Sequence, residues 1–155
     1  MSALRDIIWL VGPKHDDLVD LVRRMRAVAA DVLNGTACRF DSESVESRRI
    51  GMTFMRNVLL IYKEALHNVH KHARAGEVVI AVGVHAGEFV LRIEDNGVGF
   101  DEASIVAGHG LENMRRRTGE LGGRLEIVRA DGGGTRITLS APLAYAGAGR
   151  TGSVR

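Results

Sequence analysis

The sequence is poor in cysteine: Cys38 is the only one in 155 residues. That excludes an internal disulfide and a cysteine-built zinc site, and it leads us to expect a reducing compartment, the cytoplasm. Long apolar runs are missing as well. Runs such as residues 7–11 and 58–62, five residues each, fall far short of the ~18–20 residues of a membrane span. Neither has the flanks of a secretory signal, so this chain by itself is expected to be soluble, with no membrane contact. Net charge is small, 21 basic residues against 19 acidic ones giving +2, and the arginines are scattered. Without a basic stripe, no direct nucleic-acid partner is expected. A Walker-type phosphate loop is absent, as is a serine or cysteine nucleophile with a base in reach. What remains is ordinary for one globular core: 45% apolar and 26% charged residues in a chain of single-domain length. The 19 glycines are the feature to follow.

Apolar spacing and punctuation divide the chain. Residues 2–11 form a short apolar-sided helix stopped by Gly12-Pro13. Asp16 or Asp17 caps a second helix, running to about Asn34 with Gly35 as its C-terminal stop, whose apolar face is Leu18, Leu21, Val22, Met25, Val28, Ala29 and Val32. A short strand, Ala37–Asp41, precedes a long helix from about Glu46 to Ala73. Alternation then marks strands Glu77–His85 and Glu88–Asp95. A helix over 111–121 and a hairpin of strands 124–130 and 135–143 complete the ordered part, before a disordered tail from Ala144. Because βαβαβ alternation is absent, we expect an α+β fold. Its sheet is mixed and mostly antiparallel, with helices on one face.

Four groups of residues carry chemistry. Glu64, Asn68 and His72 stand at i, i+4 and i+8, a drift of only ~80° around a helix. They share one side at the margin of the apolar stripe, where a hydrated divalent cation would suit them; a solvated helix edge uses the same spacing. His67, His70 and His72 do not converge for zinc. Asp95 shares the strand parity of Phe89, Leu91 and Ile93, so it aims a carboxylate at the buried side. An exocyclic amine of a planar base would be a good donor to it, with Gly97 and Gly99 clearing space beyond; Asp-Asn-Gly is also plain turn chemistry. Gly108, His109, Gly110 and Leu111 open a helix whose exposed amides suit a phosphate or form a flexible connector. Thr135, in step with Ile137 and Leu139, faces the core side, to meet a ligand or to pair across the hairpin.

In order and spacing, these four groups resemble the N, G1, G2 and terminal G-T boxes of the Bergerat-fold (GHKL) ATPases. Within that superfamily, KEALHNVHKHARA, DNGVGF and GHGLENMRRRTGELGGRLEI resemble the catalytic ATP-binding domain of sensor histidine kinases. The branch is the one that signals to LuxR-type response regulators. The resemblance implies a two-layer α/β sandwich that binds ATP with magnesium. It implies that Asp95 accepts from the adenine amine, that Gly97 and Gly99 line the base pocket, and that Thr135 completes it. Asn68 would ligate magnesium, Lys71 and His72 would face the phosphates, and Glu64, the catalytic residue, would set the metal and its waters. Gly108, Gly110 and Leu111 would form the lid and helix end beside the phosphates, after a short interval over 101–107.

The resemblance implies two partners, a histidine-bearing dimerisation domain and a response regulator with LuxR-type output. The phosphoacceptor segment of such kinases, similar to E-L-H-D, is not found. His15-Asp16 imitates its centre but follows Gly12-Pro13 and lies too near Glu64 for a helical hairpin. No phosphoacceptor is therefore assigned. Residues 1–14 are expected to be the remnant of a dimerisation helix and linker, 15–143 the catalytic domain, and 144–155 the tail. Two other readings keep the fold: an anti-sigma-factor-type serine kinase, and a non-catalytic module whose nucleotide sets a partner-binding conformation.

Overall fold

A helix begins where a side chain can satisfy its open N–H groups. The computed structural model describes residues 16–42, 45–99 and 108–143. In it the Asp17 carboxylate accepts from the Val19 N–H at 2.8 Å, which settles the choice of cap between Asp16 and Asp17. Helix α1, Leu18–Val32, follows and buries Leu18, Leu21, Val22, Met25, Val28 and Ala29, the face expected from their spacing. Gly35, at φ 88°, turns the chain away. Strand β1 is Ala37–Asp41.

The long helix does not begin near Glu46. Residues 48–50 instead run beside the start of α1: the Leu18 N–H donates to the Arg48 carbonyl at 2.9 Å, and the Ile50 N–H to the Asp16 carbonyl at 2.7 Å. Backbone groups paired laterally are not free to wind into a helix. Gly51, in extended backbone, is the cap, and helix α2 is Met52–Asn68. It continues as a π-helical turn, Val69–Ala73, ended by Arg74 in the left-handed region at φ 49°.

Helix α2 is central. Tyr62 is fully buried and its hydroxyl donates to the Met25 carbonyl of α1 at 2.9 Å. Phe54 meets Phe89 of the sheet edge to face, with centroids 5.6 Å apart. Helix α3, Gly110–Glu120, is held to α2 by buried Asn57, which donates to Glu120 at 3.1 Å and accepts from Arg117 at 3.3 Å.

Strands β2 (Glu77–His85), β3 (Glu88–Asp95), β4 (Arg124–Arg129) and β5 (Thr135–Pro142) join β1 in one sheet of order β1-β2-β3-β5-β4. Among the described strands, only β1 and β2 pair in parallel. The register aligns Ile80, Ile93, Ile137 and Ile127 in one inward row and Val82, Leu91, Leu139 and Leu125 in the next. These rows and the helices share one hydrophobic core. The fold is the expected α+β one, with a mixed, mostly antiparallel sheet. The helix expected over 2–11, His15, the interval 101–107 and the tail over 144–155 lie outside the described residues.

Candidate functional site

A cavity of ≈ 690 Å³ opens between the second half of α2 with its π turn, the adjoining ends of β3 and β5, and the start of α3. That is the size of a small-molecule site. From the helix come Glu64, Asn68, Lys71 and His72; from the sheet end, Asp95, Gly99 and Thr135; from the start of α3, Gly108, Gly110 and Leu111. Three segments far apart in the chain thus meet as expected. Gly97 alone among the expected residues is not on the lining.

The sheet end is the enclosed part. Asp95 is 4% exposed, and its carboxylate accepts from the Gly97 N–H at 2.8 Å and from the Thr135 N–H. Burial raises its pKa above the ordinary 3.8; those two backbone donors pull it back, and the charge of neighbouring Glu94 adds to the rise. Glu94 points to the opposite face, where Arg136 at 2.8 Å and Arg92 hold it ionised and below the usual carboxylate range. Asp95 has no cationic partner of its own among these contacts. A ligand N–H would offer it a charge-assisted hydrogen bond.

The approach of β5 to Asp95 needs a residue without a side chain. A β-carbon on Gly134 would lie 1.7 Å from the Asp95 carbonyl oxygen and 2.8 Å from its carboxylate. The turn behind is tied by Ala130 N–H to the Gly134 carbonyl at 2.8 Å and Gly133 N–H to the Ala130 carbonyl at 2.9 Å. Thr135 therefore reaches Asp95 through its backbone, a contact that strand parity does not reveal.

The helix edge is the open part. Glu64 and Asn68 are half-buried, and Lys71 and His72 are exposed. An α-helix would carry His72 ~80° around from Glu64. The wider π turn lessens that drift, because each of its residues advances by less than the ~100° of an α-helix. Glu64 also touches α3: a β-carbon on Gly110 would stand 2.1 Å from its Oε1. Gly110 is thus where the carboxylate of one helix meets the first residue of another. Among the described residues, none comes within 4 Å of a β-carbon on Gly108.

The geometry gives Gly97 a different place from the one the resemblance implies. Its β-carbon would fall 2.0 Å from the Ala73 carbonyl oxygen, and the next residue, Val98, donates its N–H to that oxygen at 2.8 Å. Gly97 lets the turn after β3 lie on the end of the π turn, behind the cavity wall. Asn96 does similar work, accepting from the Gly76 and Glu77 N–H groups at 2.9 Å each. Sequence reasoning did not place Met114, Ile127 and Ile137 at the site, and weighed His67, whose ring lies 2.8 Å from the Lys63 carbonyl, only for zinc. The inward parity of the two isoleucines was the available signal.

Residues 55–145 match the family model described as histidine kinase-, DNA gyrase B- and HSP90-like ATPase. The signal transduction histidine-protein kinase/phosphatase UhpB of Salmonella typhimurium is 32% identical over 152 residues, 93% of this chain and 29% of its own. The nitrate/nitrite sensor protein NarQ of Escherichia coli is 40% identical over 86 residues, 54% of this chain and 15% of its own. For the sensor histidine kinase LiaS of Bacillus subtilis the figures are 36% over 84 residues, 54% and 23%. The chain thus spans less than a third of the length of these relatives. Among solved structures, the histidine kinase domain of a blue-light-activated kinase from Erythrobacter litoralis superposes with a TM-score of 0.67. It has 21% identity, over 90% of this chain and 69% of that one. The ATP-binding domain of PrrB from Mycobacterium tuberculosis gives 0.66 at 21%, over 83% and 95%. At these identities the likeness is one of fold.

Proposed function

The chain belongs to the histidine kinase-, DNA gyrase B- and HSP90-like ATPase family, and from that premise we propose that it is the ATP-binding catalytic domain of a two-component sensor histidine kinase. In this reading it binds Mg-ATP and presents the γ-phosphoryl group to a histidine on a dimerisation domain, for relay to a response regulator. The resemblance of its sequence boxes to the LuxR-linked branch of sensor histidine kinases favours a regulator with LuxR-type output. The observation that carries the reading is the buried Asp95 carboxylate, turned into a cavity whose other wall is the polar edge Glu64–Asn68–His72.

Each residue has a physical task. Asp95, an acceptor only, takes the exocyclic amine of adenine and rejects guanine, which has a carbonyl there. Thr135 and Gly134 hold that carboxylate in place, and Gly99 leaves room beside it. Lys71 and His72 lie at the open end, where the phosphates would be, with Gly108, Gly110 and Leu111 at the start of α3 across from them. Asn68 and Glu64 offer the hard oxygen donors that magnesium prefers. Among the described residues no three His, Cys, Asp or Glu side chains converge as a metal cage, so the donor set fits an ion held by one or two side chains together with phosphate oxygens. Such an ion, when bound, neutralises charge on the phosphates. Glu64, set against α3 by Gly110, would orient the water around it. None of the described helices is long and apolar enough to cross a membrane; a cytoplasmic location is part of the proposal.

Two measurements test the reading. ADP with magnesium at ~100 times its dissociation constant adds ~2.7 kcal/mol to stability, so the melting temperature should rise; no shift at millimolar nucleotide would overturn nucleotide binding. Incubation with labelled ATP and a histidine-bearing dimerisation domain should give acid-labile phosphate on that domain. Label passing instead to a serine of an antagonist protein would replace the histidine kinase with a serine kinase.

A further inference from the structure

The sheet has two outer edges, β1 and β4, and they are finished differently. On β1 the Arg26 guanidinium of α1 donates to the Phe40 carbonyl at 3.3 Å and lies over the Phe40 ring, 4.4 Å from its centroid. That guard covers the edge. Strand β4 has none among the described residues. Its six residues run without a bulge or a proline and carry Leu125, Ile127 and Val128, the last 36% exposed. An open edge of this kind offers its backbone groups to another strand. The hairpin shows which groups these are. The Ala130 N–H donates to the Gly134 carbonyl, and hydrogen-bonded pairs alternate along an antiparallel ladder, so Val128, Glu126 and Arg124 bond to β5. The Thr135 N–H agrees, since it points away from β4 to the Asp95 carboxylate. The N–H and C=O groups of Leu125, Ile127 and Arg129 therefore face outward.

We propose that this edge pairs antiparallel with the β4 edge of a second copy of the chain, about a two-fold axis through Ile127. In that register Ile127 faces Ile127, Leu125 of each copy bonds with Arg129 of the other, and every outward group of both edges is satisfied. Registers that set Leu125 against Ile127, or Leu125 against Leu125, fill the edge only by calling on the Gly123 N–H. That group is already given to the Thr118 carbonyl at 3.0 Å. The first of them also sets Glu126 against Glu126, and like charges directly opposite are destabilising. In the proposed register Glu126 meets Val128 instead. The pairing is self-complementary and consumes the open edge of each copy; with β1 guarded, assembly closes at two. None of this depends on what the cavity binds.

Sedimentation velocity of the whole chain, from micromolar to submillimolar concentration, reads the assembly; an interface of one strand pair is small and belongs to the weak, reversible class. The mass should move from that of one chain, 16.8 kDa, towards that of two. A single-chain mass throughout, or growth past two, would overturn the proposal. Val128→Glu sets a carboxylate against Glu126 twice by symmetry and should weaken association about tenfold. Adding Glu126→Lys makes both contacts opposite in charge and should bring the affinity back to within about threefold of the parent. Both side chains lie on the sheet face away from the helices, so the variants should melt within about 2 °C of the parent. Association that Val128→Glu leaves unchanged, or that Glu126→Lys fails to restore, would overturn the pairing. Cross-linking tests the register and does not depend on those affinities. Residues 126 and 128 of the two copies would form a non-hydrogen-bonded pair, with Cα atoms about 4.5 Å apart, close enough for a disulfide. With the exposed Cys38 replaced by serine, an oxidised mixture of Glu126→Cys and Val128→Cys chains should join one of each. Glu126→Cys joining to itself, or no joined chains in the mixture, would overturn the proposal.

Discussion

The two ends of the cavity are built by opposite means. At the sheet end, Asp95 is buried and its carboxylate is held by two backbone N–H groups. Gly134 closes the strand onto it with no room for a methyl group. At the helix end, Lys71 and His72 are exposed, and none of the described residues comes within 4 Å of a β-carbon on Gly108. The first end is formed by packing and is complete before any ligand arrives; the second relies on charge and solvent-exposed side chains. Recognition that must reject a near-identical base belongs at the rigid end, because an unpaired buried group penalises the wrong partner strongly. Holding flexible, highly charged phosphates tolerates the other.

The contrast is sharpest in how substitutions should behave. Gly134→Val forces a side chain onto the Asp95 backbone, and overpacking of this kind costs about 3 kcal/mol. The melting temperature should fall by roughly 10 °C and ADP binding should be lost with it. A thermal melt near that of the parent would show that the strands can part cheaply and that the sheet end is not rigid.

Asp95→Asn comes next and should separate affinity from stability. The amide can still accept from Gly97, so the fold survives, while a hydrogen bond to a charged group, worth ~1.5–3 kcal/mol, is lost with adenine. ADP affinity should drop tenfold to a hundredfold by calorimetric titration. The pH dependence has a definite sign. The folded protein holds the Asp95 proton more tightly than the unfolded chain does. Its stabilising share is therefore present below the ordinary value of 3.8 and is lost as pH rises through the higher folded value. The Asn variant has no such loss. Its melting temperature relative to the parent should climb from acid to neutral pH; a flat difference would mean that the carboxylate titrates as if exposed.

Lys71→Ala, at the open end, removes an exposed charge worth ~0.2–1 kcal/mol. ADP affinity should fall two- to fivefold, less at high salt, with no change in melting. The smallest effect belongs to Gly108→Ala: with no atom of the described residues within 4 Å of the new methyl group, stability should stay within about 0.5 kcal/mol. A large loss there would move Gly108 from the open end to the rigid one.

Sequence reasoning was strongest where one element explains itself. The buried face of α1, the inward parity of β3 that delivers Asp95, and the shared side of Glu64 and Asn68 on α2 all follow from periods of 3.6 and 2, and each stands as expected; His72 joins them through the π turn. It was weakest at junctions. The start of α2 moved to Met52 because residues 48–50 pair with 16–18 across the fold. The polar pairing of Asn57 with Arg117 and Glu120 shows on neither helix taken singly.

The glycines draw the boundary most clearly. Local spacing alone was enough to mark a carboxylate at a strand end, a polar helix edge and glycines between them, because backbone geometry repeats along the chain. It could not say which glycine answers to which neighbour. That Gly97 yields to Ala73, Gly110 to Glu64 and Gly134 to Asp95 depends on how closely elements distant in sequence approach. Their separation is decided by the core that holds sheet and helices together, whose shape is a property of all its side chains at once.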